Sequence, residues 1–264
     1  MPSAHSPTDK RITTKPSQGL FENAKLVMHD AEYGVVCCVR SQAQPDKKGK
    51  ELKKWRDKKT LDLAPAVVGS HAAKKTTSLP WTSYPGLFAG GGLDVMTSLL
   101  LRRLLPTLDR KAKLKALDYC SGNGVVAAAI QLAAKKTKLT LLDADSIALD
   151  AAKKNLPRGE SSASFILSDA WTRVDPSETY DLIVSNPPVH HGLAVDFHPT
   201  RALLQSLPVR LNAASGVAYI VTQRYVPFRA IASSVVSPST DAVSIECERA
   251  DARFVVWTCR RKAR

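Results

Sequence analysis

"ALDYCSGNGVVAAAI", residues 116–130, is the stretch whose reading decides the fold. An apolar run at 115–119 reads as a strand, a turn holding Gly122 and Gly124 follows, and an Ala/Val-rich segment over about 124–135 has the spacing of a helix. Strand, tight turn and helix make the first half of a crossover unit, and the chain downstream repeats the alternation. Strands are expected at 138–143, 163–168, 180–185 and 216–222, with helices at 146–155 and about 199–213. Strands alternating with helices of roughly 10 to 15 residues imply a parallel sheet. The chain closes on "AVSIECER" (242–249) and "DARFVVWTCRR" (251–261), two strand-like runs suited to a hairpin at the sheet edge. The expected fold is therefore α/β: a Rossmann-like, seven-stranded, mostly parallel sheet with a terminal antiparallel hairpin, plus a small basic N-terminal appendage.

Upstream, "LDVMTSLLLRRLLP" (93–106) is spaced as a helix ended by Pro106. A composition shift near residue 80 suggests three parts: polar residues 1–20, expected to be disordered; a basic region at 21–80; and the main domain at 81–264. Within the basic region, "AKLVMHD" (24–30) and "YGVVCCVR" (33–40) read as a hairpin, with Cys37 and Cys38 in a small core. The stretch "DKKGKELKKWRDKK" (46–59) carries eight basic residues against three acidic ones and reads as a solvated helix or loop. It is a polar linker or an RNA-contacting arm, with Trp55 available to pack or stack.

Net charge is +14 and the sequence pI is about 9.7, which points to a polyanionic partner, nucleic acid first, because clustered Lys and Arg displace phosphate counterions. No apolar run approaches the roughly 18 residues that would cross a bilayer, and the first 20 residues lack a signal-peptide centre. A cytoplasmic protein is expected, with an organelle open. Five cysteines (37, 38, 120, 247, 259) show no CxxC spacing, so neither a disulfide framework nor a zinc site is indicated. No metal is expected at His190, His191 and His198 either, since no further ligand converges on them.

In an open parallel sheet the ligand crevice lies beyond the carboxyl ends of the strands, where the 120–124 turn sits. Asp143, nineteen residues after Gly124, ends the next strand in "LTLLDAD" and is placed to accept hydrogen bonds from ribose hydroxyls. A dinucleotide and S-adenosylmethionine both suit this layout. The dinucleotide fingerprint G-x-G-x-x-G is not met by C-S-G-N-G, and Asp118 would oppose a pyrophosphate while suiting the cationic end of S-adenosylmethionine. Asp169, in the "SDA" after the third strand, would sit beside the adenine.

"DLIVSNPPVHHG" (181–192) brings Asn186 to the same crevice at the end of the fourth strand. Pro187 has a fixed φ and no amide proton, so its carbonyl and the Asn186 side-chain oxygen can together be aimed at the two hydrogens of a planar amino group. That task is positioning, since a sulfonium is already an activated methyl donor.

These residues resemble the class I S-adenosylmethionine-dependent methyltransferases, and more narrowly the small-subunit ribosomal RNA guanine-N2 methyltransferases with their "methyltransferase small domain". "YPGLFAGGGLDVMTSLLLRRLLP" (84–106) is similar to that family's Pro-Gly-Val-Phe…Leu-Asp-x-Gly-Thr/Ser-x-Leu-Leu segment, "NPPVHHG" to its Asn-Pro-Pro-Phe-His-x-Gly, and "YVPFRAIASS" (225–234) to its Phe-Leu-Pro-Tyr segment. The resemblance covers about residues 80–262. It implies methyl transfer to the exocyclic N2 of a guanine in ribosomal RNA, with S-adenosylmethionine held by Asp118, Cys120, Gly122, Gly124, Asp143, Asp169 and Asn186. It implies that Asn186, Pro187, Pro188, Val189 and His190 face the target base. Two positions depart from the pattern: Cys120 stands at the usual first glycine of the cofactor loop, and Val189 replaces the aromatic that stacks on the base in many relatives. Members also carry a degenerate methyltransferase domain ahead of the active one, for which residues 1–80 leave room only for a remnant.

Several residues keep two readings. His190 is either in a structural hydrogen bond or in contact with a flipped base, and His191 is expected in solvent. Trp81, Tyr84 and Phe88 form a platform over the pocket or belong to the core. The competing functions are a catalytically silent RNA-binding or ribosome-assembly module, and methyl transfer to adenine N6 or a protein glutamine.

Overall fold

The computed structural model describes residues 21–29, 34–40, 50–67, 77–156, 163–191, 194–235 and 243–261, and for 21–51, 191 and 248–250 the backbone alone. The expected disorder of 1–20, the packing of Cys37 and Cys38 and the surroundings of His191 lie outside the described residues. The chain divides into two units, 1–54 and 55–264. In the first, β1 (Phe21–His29) and β2 (Gly34–Arg40) form the expected antiparallel hairpin, and α1 spans Lys50–Lys54.

The second unit begins earlier than the composition shift suggested. Residues 46–59 read as a basic helix or loop, yet β3 (Asp57–Asp62) pairs antiparallel with β4 (Ser78–Ser83), and α2 (Ala64–Val67) follows. The physical reason lies just past the lysines. Leu61, Leu63, Ala66, Val67 and Trp81 are buried in the main core, while Lys58 and Thr60 face outward from the strand. Burial of the apolar residues decides the element, and the charged ones stay in water.

The central sheet runs β12-β13-β11-β8-β5-β6-β7. Its parallel strands are β5 (Lys115–Tyr119), β6 (Lys138–Asp143), β7 (Ala163–Leu167), β8 (Leu182–Ser185) and β11 (Val217–Gln223). The terminal hairpin is β12 (Val243–Ala250) and β13 (Phe254–Arg261), with β13 inserted antiparallel beside β11 and β12 outermost. A minor hairpin joins β9 (His190–His191) to β10 (Ala194–Val195). The expected sheet and its terminal hairpin are thus present.

Helices cover both faces. Alternate strand residues point to opposite sides, so Ala116, Leu141, Val184 and Val221 join one core with α3 (Val95–Leu104), α4 (Val125–Ala133) and α5 (Ser146–Asn155). Leu117, Leu142, Ile183 and Ile220 join the other with α6 (His198–Arg210) and α7 (Phe228–Val235). From β5 the chain builds outward through β6 and β7, then returns to the other side of β5 for β8 and β11. That reversal makes the carboxyl ends of β5 and β8 the switch point, where an open α/β sheet leaves a crevice. Tyr119 and Ser185 are register partners there, and Ser185 Oγ donates to the Tyr119 carbonyl at 2.6 Å.

Candidate active site

A cavity of about 480 Å³ opens at this switch point. Its size falls within the range of roughly 300 to 1,000 Å³ typical of small-molecule sites. The loop after β5 forms its floor. Asp118 is 1% exposed, and its carboxylate accepts from the Ala127 amide of α4 at 3.2 Å. Burial pushes its pKa up to about 8, against the lowering effect of that amide, and the nearby Asp143 carboxylate adds to the rise. Burial also holds the Cys120 thiol well above its ordinary value, so it is neutral. The Ser121 hydroxyl oxygen is buried with no hydrogen-bond partner among the described residues.

Asp143 ends β6 with its carboxylate drawn toward the loop: the Gly122 amide donates to Oδ2 at 2.7 Å and the Asp145 amide to Oδ1 at 2.8 Å. Each oxygen keeps a lone pair for a hydroxyl. Burial nevertheless raises this carboxyl group's pKa, outweighing those two donors. Asp169 lies on the wall after β7, exposed, and among the described residues its main-chain oxygen accepts from Thr172 and Ser168 while its carboxylate accepts from none.

Asn186 follows β8 directly. Its Nδ2 donates to Thr97 Oγ1 of α3 at 3.0 Å, so the amide is anchored through its nitrogen and Oδ1 accepts from no described residue. Thr97 is itself fixed, because Asp94 caps α3 by accepting from the Met96 and Thr97 amides at 2.8 and 3.2 Å. Pro187 is buried and Pro188 exposed beside it. His190 Nε2 lies 3.3 Å from Tyr225 Oη, a structural pairing at the rim of the cavity.

Ten residues singled out from sequence therefore line one cavity: Asp118, Cys120, Gly122, Asp143, Asp169, Asn186, Pro187, Pro188, Val189 and His190. Gly124 does not line it. With φ of 88° it starts α4, and a Cβ there would lie 3.3 Å from the Ala152 Cβ, so its smallness serves helix packing. Val189 is 4% exposed and packs into the second core, presenting little surface to a ligand. Trp81 and Tyr84 are core residues, with Trp81 Nε1 donating to the Gly91 carbonyl at 2.8 Å and Tyr84 Oη donating to Asp150 at 2.6 Å. Phe88 alone of the three stands at the cavity, 68% exposed.

Sequence reading missed Thr97, Gln223 and Tyr225. Thr97 carried a signal within "LDVMTSLL", the Asp cap three residues before it, but its partner is 89 positions away. Among the described residues no group of three or more His, Cys, Asp or Glu could hold a metal ion. No described helix is long and apolar enough to cross a membrane.

Residues 78–247 match the methyltransferase small domain family. The chain is 32% identical over 146 residues to ribosomal RNA small subunit methyltransferase C of Haemophilus influenzae (strain PittGG), covering 55% of this chain and 42% of that protein. It is 34% identical over 144 residues to the protein of that name from Serratia proteamaculans (strain 568), covering 54% and 40%. The chain thus spans about two fifths of the length of these relatives. Among solved structures it is similar to the T. thermophilus 16S rRNA N2 G1207 methyltransferase (RsmC) in complex with AdoMet and guanosine. There the TM-score is 0.62 at 19% identity, covering 92% of this chain and 59% of that one. A methyltransferase from Pyrococcus furiosus gives a TM-score of 0.52 at 16% identity over 75% of this chain and 91% of that one. With a cofactor-type loop, an Asn-Pro-Pro strand end and a family match over more than half its length, the chain belongs to the methyltransferase small domain family.

Proposed function

We propose that this chain transfers a methyl group from S-adenosylmethionine to the exocyclic N2 of a guanine in RNA, with ribosomal RNA as the substrate class. One observation carries the reading. At the switch point the Asn186 amide is held by Thr97 with its oxygen free, in the same cavity as the Asp143 and Asp169 carboxylates.

The residues fit the cofactor. Asp143 offers remaining lone pairs to ribose hydroxyls, the Asp169 carboxylate is an unengaged acceptor for an adenine amine, and Asp118 supplies a buried carboxyl that a nearby cation would ionise. When bound, the cofactor supplies an electrophilic methyl group on sulfur. The protein's own task is to hold the acceptor. Asn186 Oδ1 and the Pro187 carbonyl take the two amino hydrogens, which turns the nitrogen lone pair toward the donor and lets orientation lower the barrier. A guanine inside a helix cannot offer that nitrogen, so the base must leave its stack. The net charge of +14 suits a phosphate backbone. The relatives' printed names, which describe ribosomal RNA methyltransferases, support the same substrate. Cytoplasm, or an organelle with its own ribosomes, is the compartment that fits.

A silent RNA-binding module would be favoured by Cys120 at the usual loop glycine. Cys120 lines the cavity without closing it, which supports the enzyme instead. The test is incubation with labelled S-adenosylmethionine and unmodified transcribed ribosomal RNA, followed by digestion to nucleosides and mass analysis. N2-methylguanosine is expected. N6-methyladenosine would move the acceptor to adenine, and no labelled nucleoside together with no calorimetric binding of the cofactor would establish the silent module.

A further inference from the structure

The last residue of β11, Gln223, lines the cavity, and its Oε1 is buried with no hydrogen-bond partner among the described residues. A buried acceptor left unmade is destabilising by itself, and because this one lies on the cavity lining a ligand's donor would complete it. Two residues on, Tyr225 is 58% exposed and reaches His190 Nε2 at 3.3 Å. Tyr225 thereby stands against the Asn186–His190 segment, on the side of the cavity assigned to the acceptor. Phe88, an exposed aromatic that lines the cavity, lies three residues before Gly91, whose carbonyl accepts from Asn123 of the β5 loop at 2.7 Å, which ties its segment to the loop assigned to the cofactor. Val189, 4% exposed on the cavity lining, offers no ring and little surface.

We propose that Gln223 and Tyr225 together form the recognition subsite for the target base, Gln223 reading its Watson–Crick edge and Tyr225 covering its face. This rests on the guanine-N2 reading above and specifies how the base is chosen. Guanine presents three hydrogens in a row on that edge, two on N2 and one on N1. Asn186 Oδ1 and the Pro187 carbonyl take the first two, and Gln223 Oε1 takes the N1 hydrogen. An adenine in the same place would present the N1 lone pair to that oxygen, two acceptors facing each other. The stack on Tyr225 supplies the affinity that a buried valine at 189 cannot.

The experiment uses the full chain, an RNA fragment carrying the target guanine, located by base-specific nuclease fragments of the labelled RNA and their masses, and the same fragment with 2-aminopurine at that position. 2-Aminopurine keeps the amino group but has no hydrogen on N1. Wild type is expected to methylate guanine at least 10-fold faster than 2-aminopurine. Gln223→Leu should lose most of that preference, keep S-adenosylmethionine affinity within about threefold and melt at a higher temperature without ligand, because the orphan acceptor is gone. Tyr225→Ala should raise KM for the RNA by about 5- to 150-fold, the range of a base–aromatic stack. Tyr225→Phe should stay near wild type, showing that the ring, not the contact to His190, matters. If wild type methylates no guanine, the proposed function itself falls and this subsite with it. If wild type is active while Gln223→Leu keeps the full preference, or Tyr225→Ala leaves KM within twofold, the subsite is overturned and the function stands.

Discussion

Replacing Thr97 with valine removes one oxygen and almost no volume, and it removes the only anchor that the Asn186 amide has among the described residues, the Nδ2 to Oγ1 bond of 3.0 Å. Thr97 is 5% exposed, so valine fits the space, and the change in fold stability should be about 1 kcal/mol. The effect on chemistry should be larger. An unanchored amide rotates or exchanges its ends, and misplacement of a positioning group by about 1 Å costs up to roughly 100-fold in rate. We expect single-turnover methyl transfer to fall about 10- to 100-fold, a barrier increase of about 1.4 to 2.7 kcal/mol. Calorimetric affinity for S-adenosylmethionine should stay within about threefold, since the cofactor carboxylates are untouched. Thr97→Ser, which keeps the hydroxyl, should recover most of the rate. Asn186→Ala should be slower than Thr97→Val, and adding the valine to that variant should cost nothing more, because the two residues act as one unit. A Thr97→Val enzyme within twofold of wild type, or losses that multiply in the double variant, would refute the anchoring argument.

Three further outcomes are expected. Gly91 has φ of +73° and a Cβ there would stand 2.0 Å from Ser83 Oγ, so Gly91→Ala should lower denaturant stability by about 2 kcal/mol or more; a shift in midpoint equivalent to under about 0.5 kcal/mol would contradict it. Cys120 holds a left-handed φ of 59°, and Cys120→Gly should raise the melting temperature while preserving cofactor affinity, by up to about 1 kcal/mol of relieved strain less the added chain entropy of glycine. Asp118, raised to about 8 in the folded protein, keeps a proton that the unfolded chain loses near its ordinary value of 3.8. Stability therefore falls as pH rises between those two values, by at most about 1.4 kcal/mol per unit. The melting-temperature advantage of Asp118→Asn over wild type should grow from about pH 5 to about pH 8 and then level off, while its cofactor binding weakens; a pH-independent difference would count against a protonated Asp118.

The strands of the central sheet, the helices α3 to α6 and the strand ends were legible in the chain itself, whereas β3, β4, α2 and α7 were not. "ALDYCSGNG", "LTLLDAD" and "IVSNPP" each couple an apolar strand to a turn whose residues have few uses in water, and local periodicity sets such elements without reference to the rest of the molecule. Position at or just beyond a strand's carboxyl end then places Asp118, Asp143 and Asn186 on one rim, because every parallel strand of the sheet ends there. Tertiary structure decided what periodicity cannot see. Lys58 and Lys59 sit in a strand because Leu61 and Leu63, a few residues on, are buried in a core built from distant segments. Gly124, read as a cofactor contact, packs against Ala152, 28 residues away, and Val189 turns into a core assembled from β5, β8, β11 and the helices beside them. Thr97, Gln223 and Tyr225 reach the site only when α3 and β11 fold beside β8, and hydrogen bonds spanning 89 and 35 positions leave no trace in local pattern. Sequence determined which residues stand at the rim; long-range packing determined which of them face one another across it.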